Sequence, residues 1–74
     1  MNFRLWASVR SAGPERFFVT VSAASEDDPD RTGGVETGEA RSLEEAVLLR
    51  DRLIGQIGAK LRARGHNVVD IKLE

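Results

Sequence analysis

Between Asp28 and Glu39 the chain reads "DPDRTGGVETGE", which spaces oxygen ligands at Asp28, Asp30, Thr32, Glu36 and Glu39 around a turn-forming Gly33. Calcium takes about six to eight hard oxygens, and carboxylates at this spacing can in principle wrap a loop around one ion. The same letters also make an ordinary turn, because Gly, Pro, Asp and Thr each favour bends for reasons of their own. A second constellation is aromatic and basic: Trp6 and Phe18, with Arg4, Arg10, Arg16 and Lys72. On one face of a sheet, those side chains would offer flat rings within a rim of cations.

Counted from Asp28, the acidic string is similar to the calcium loop of EF-hand proteins. Gly33 takes the sharp-turn position and Glu39 the bidentate one. An EF-hand needs a helix leading into its loop, and "RFFVTVSAASE" alternates as a strand does. Pro29 is unfavourable at the second position, and no second loop is there to pair with the first. We therefore read residues 25–41 as an acidic, mobile loop, with the five oxygens as its calcium candidate.

The chain has 74 residues, enough for one small domain with a thin margin of stability. Cysteine is absent, which excludes disulfides, thiolate chemistry and cysteine-based zinc sites. A net charge of −1 hides an asymmetry: residues 25–41 carry six acids against two arginines, and the remainder carries nine bases against six acids. The opening "MNFRLWASVR" is too short and too charged for a secretory core, and no later run would span a bilayer. The expectation is a cytoplasmic protein without membrane contact.

Two alternating stretches begin the chain. Phe3, Leu5, Ala7 and Val9 share one face of residues 2–10, and Phe17, Val19, Val21 and Ala23 share one face of residues 16–24. "SAGPE" supplies the turn between them. Setting Arg10 opposite Arg16 places Val9 by Phe17 and Leu5 by Val21, with every apolar residue on one face. In that register Trp6 and Phe18 are diagonal neighbours on the other face.

A helix follows. Ser42 and Glu45 form a capping box, Glu44 and Glu45 suit the positive end, and Gly65 stands where a left-handed cap belongs. Leu43, Ala46, Val47, Leu53, Ile54, Ile57 and Leu61 make its apolar stripe. "NVVDIKLE" then reads as a strand with Val69, Ile71 and Leu73 inward and Val68, Asp70, Lys72 and Glu74 outward. The fold class is α+β with two layers: ββαβ, a three-stranded sheet in order 2-1-3 with the helix on one face. The alternative adds a short strand at 35–41, giving βββαβ and a last strand parallel to the first.

Catalysis needs a nucleophile or an acid–base pair held in a cleft, and no such motif occurs. The expectation is a non-enzymatic protein without a cofactor. One face of the sheet is left for binding. A symmetric dimer covering Trp6 and Phe18 would supply the extra core that so small a chain lacks. The alternative is single-stranded nucleic acid, with bases stacked on the rings and phosphates on the arginines.

"SLEEA", Ser42 to Ala46, opening a helix after a hairpin, is similar to HicB-type antitoxins, and the likeness extends to the order of elements. The proline-glycine segment of that family is replaced here by "TGEAR". The resemblance implies a small cytoplasmic βββαβ-like domain that binds a toxin partner and self-associates.

Overall fold

A computed structural model describes residues 1–74 except Pro29 and Arg31, both of which lie in the acidic segment. The elements run β1 (Asn2–Gly13), β2 (Arg16–Ser25), β3 (Thr32–Ala40), α1 (Leu43–Ala63) and β4 (Asn67–Leu73). Four strands form one sheet in the order β3-β2-β1-β4. β2 is antiparallel to both of its neighbours, and β4 is parallel to β1. Of the two arrangements expected, the four-stranded βββαβ is the one formed. The three-stranded 2-1-3 sheet is not, because most of the acidic segment is itself a strand. β3 starts at Thr32 rather than Val35.

The alternating faces hold, but the hairpin register is corrected by two residues. Phe3 stands opposite Ser25, Leu5 opposite Ala23, Ala7 opposite Val21 and Val9 opposite Val19. β1 runs on to Gly13, and an irregularity between Ser11 and Gly13 absorbs the extra length before the turn. A shift of two keeps every side chain on its face, since the strand period is two. Phe3, Leu5, Ala7, Val19, Val21 and Ala23 are accordingly all buried.

The helix begins at the expected N-cap, Ser42, although the Glu45 side chain reaches the amide one residue before the cap. Ser42 Oγ accepts from the Glu45 amide at 3.1 Å, and Glu45 Oε2 accepts from the Arg41 amide at 3.1 Å. Its far end closes with the Gly65 amide donating to Arg62 O and the His66 amide donating to Leu61 O. Gly65, at φ 83°, is the left-handed residue this cap requires. The His66 ring then rests against Phe3, with centroids 4.9 Å apart.

Ala46, Leu53, Ile57, Gly58 and Leu61 are the buried residues of α1. Leu49, which lies off the expected stripe, also packs on the core, while Leu43 stays exposed. The reason is Gly38 on β3: a β-carbon there would stand 2.6 Å from Leu49 Cδ2. Glycine lets the helix close on the outer strand, and Lys60 Nζ reaches Glu36 Oε1 of the same strand at 2.8 Å. Arg50, within the stripe, pairs with its neighbour Asp51 at 3.1 Å.

Candidate interaction surface

β4 is an outermost strand, and among the described residues no strand pairs with its outer edge. Register carries Ile71 beside Leu5 and Leu73 beside Ala7, so both stand on the helix side of the sheet, as the sequence suggests. They are not buried there: Ile71 is 44% exposed and Leu73 57%, while Val69, skipped by the pairing with β1, is 48% exposed. The helix is drawn toward β3 by Gly38 and leaves the β4 side of that face open. A register shift between the Phe3 and Arg4 pairings turns Val68, expected outward, onto the core.

The uncovered face of the sheet divides into two groups. Arg4 is paired in register with Asp70, and Trp6 with Lys72, at the β4 side. Arg10 stands opposite Phe18, four residues along β1 from Trp6. Four residues of strand span about 13 Å, so Trp6 and Phe18 are not the diagonal neighbours expected. The two-residue register correction separates them. Phe18 is 42% exposed and carries the Arg16 guanidinium 5.3 Å from its ring centroid. Trp6 is half-buried.

Two of the four cations of this face, Arg4 and Arg16, are paired. Arg4 meets Glu26 at 3.6 Å and Asp70 at 3.5 Å, and Arg16 meets Glu39 at 2.9 Å. Such exposed pairs add little stability, roughly 0–1 kcal/mol each. They do lower the positive potential that a polyanion would meet.

The calcium candidates are spread over different elements. Thr32, Glu36 and Glu39 belong to β3. Glu36 is paired in register with the buried Val21 and Glu39 with the exposed Phe18, so the two carboxylates point to opposite faces. Each is already engaged, Glu36 by Lys60 and Glu39 by Arg16. Asp28 accepts from the Asp30 amide at 3.2 Å in a local turn. Ser25, buried, organises the approach to it by accepting from the Asp27 and Asp28 amides. Among the described residues, no three acidic or histidine side chains are grouped to hold a metal.

A second apolar patch lies on the first two turns of α1, where Leu43, Val47 and Leu48 surround a shallow depression. No helix among the described residues is long and apolar enough to cross a membrane. What the fold and surface define is a two-layer α+β domain with an uncapped apolar sheet edge. Set against known protein families, curated proteins and solved structures, the chain matches none.

Proposed function

We propose that this chain is a small, non-enzymatic protein-interaction domain that works by associating with a second copy of itself through its sheet. The observation that carries the reading is the outer strand β4, where Val69, Ile71 and Leu73 leave about half of their surface in water. Edge strands in stable monomers are shortened, charged or covered, and an apolar one invites another strand. Association would also enlarge the core of a chain that buries little alone. The cytoplasmic setting expected from the sequence belongs to the same proposal.

The structure moves the emphasis within the six face residues. Arg4, Trp6 and Lys72 adjoin β4 and border the proposed contact, whereas Arg10, Arg16 and Phe18 lie farther along the hairpin. Binding of single-stranded nucleic acid is favoured less, because Arg4 and Arg16 are engaged by carboxylates. The HicB-type reading gains from the βββαβ order of elements, and it too describes a partner-binding domain.

The test is the mass of the chain in solution over a wide dilution series, with an oligonucleotide titration beside it. A mass that rises with concentration supports self-association. A constant monomer mass together with salt-sensitive oligonucleotide binding would replace it with the nucleic-acid reading.

A further inference from the structure

The pattern of β4 specifies how two copies would meet. Its residues run Asn67, Val68, Val69, Asp70, Ile71, Lys72, Leu73, with Glu74 next. We infer that β4 pairs antiparallel with β4 of a second copy, centred on Ile71, to make one continuous eight-stranded sheet with both helices on the same side. The inference rests on the self-association reading and adds the surface, the orientation and the register.

Three observations carry it. The first is main-chain direction. The Glu74 amide donates to Ala7 O at 2.8 Å, toward β1. Successive amides of a strand point to opposite edges, so those of Leu73 and Ile71 point to the open edge. Ile71 opposite Ile71 of the second copy is then a hydrogen-bonded pair; the regular stretch that can pair runs from Asp70, because β4 breaks its alternation at Val69.

The second is charge. A two-fold axis perpendicular to the sheet sets like faces together, so the centre falls on a residue, and the centres that pair most of the regular stretch are Asp70, Ile71 and Lys72. Centred on Ile71, Asp70 of each copy stands opposite Lys72 of the other, two opposite-charge pairs in the closer, non-hydrogen-bonded positions. Centred on Asp70, two aspartates meet. Centred on Lys72, two lysines meet and Asp70 faces Glu74. Of these three, only the middle register is free of like-charge contacts; a centre on Leu73 would set Lys72 against Glu74 but would pair only the last residues of the chain. The middle register also extends a row already present, since Asp70 lies 3.5 Å from Arg4 and Lys72 is paired in register with Trp6.

The third is contrast with the opposite edge. β3 contains two acids, Glu36 and Glu39, and no base, so it has no cation to set against them in a copy of itself. β4 is apolar where the helix leaves room and carries both signs on its other face. The occupant it fits is its own copy rather than an unspecified extended peptide.

The experiment uses Asp70→Lys and Lys72→Asp in the full chain, with folding checked by circular dichroism. One variant has two lysines at these positions and the other two aspartates, so each repels its own copy and complements the other. Each alone should associate more weakly than wild type by roughly ten-fold or more, and an equimolar mixture should form the heterodimer. In wild type, the Ile71 and Leu73 amides should gain hydrogen-exchange protection as concentration rises, while the Lys72 amide should not. If wild type associates and both variants associate equally well, the β4 register is wrong and self-association uses another surface. If wild type stays monomeric throughout, this inference and the reading beneath it both fall.

Discussion

Leu49 of the helix closes over Gly38 of the outer strand so tightly that a β-carbon on Gly38 would stand 2.6 Å from Leu49 Cδ2. This contact biases α1 toward β3 and uncovers Ile71 and Leu73 at the far side of the sheet. Gly38→Val should therefore cost about 1–3 kcal/mol, because a branched side chain must displace a packed leucine. Combined with Leu49→Ala, which opens the space, the pair should be less destabilising than the sum by at least about 0.5 kcal/mol. Urea unfolding of the four-member cycle measures this, and additive values would contradict the contact.

The helix start gives a second expectation. Ser42→Ala removes the acceptor of the Glu45 amide and should cost about 1 kcal/mol, while Ser42→Asp should keep most of the stability. Thermal melts followed at a helix wavelength distinguish the two. Equal loss in both variants would mean that the hydroxyl is not acting as the cap.

The acidic segment should not respond to calcium. Glu36 and Glu39 point to opposite faces and are held by Lys60 and Arg16, so closing them on one ion would undo strand β3. A ligand at about 100 times its dissociation constant stabilises a fold by about 2.7 kcal/mol. Millimolar calcium should leave the melting temperature unchanged. A rise of several degrees, reversed by chelator, would establish a site.

The two groups of the uncovered face should also part company. Phe18→Ala should leave self-association within about two-fold of wild type, since its contacts are local to the hairpin. Ile71→Thr keeps a β-branched strand former yet makes the proposed centre polar, and it should weaken association clearly. Sedimentation of both proteins decides this. Loss of association on Phe18→Ala would return the contact to the open face.

Much of this architecture was legible in the residues. Clean alternation in β1 and β2, and the Ser42, Glu45 and Gly65 caps, needed no tertiary knowledge. The register of the hairpin was less legible, because a shift of two preserves the apolar faces and only the turn decides between them. β3 was legible only as the alternative strand at 35–41, for a physical reason: besides the buried Ala40, its helix-side positions hold Gly38, filled by Leu49, and Glu36, answered by Lys60. Neither is an apolar letter.

The surface was half legible. Trp6, Phe18 and their cations do share the uncovered face, but a diagonal aromatic pair depended on the register that the turn altered. Val69, Ile71 and Leu73 read as core from alternation alone. What exposes Ile71 and Leu73 is the lateral position of the helix, set from Gly38 on the opposite edge of the sheet, whereas Val69 loses its core place to Val68 at the register shift. Alternation reports which face a residue takes, not whether anything lies above it.

The central claim is that this domain works by meeting a copy of itself, and sedimentation equilibrium of the unmodified chain tests it most directly. Over a dilution series from millimolar to sub-micromolar, the account predicts a weight-average mass that moves between twice the 8.1 kDa chain mass and that mass itself. A single value of 8.1 kDa at every concentration would contradict it.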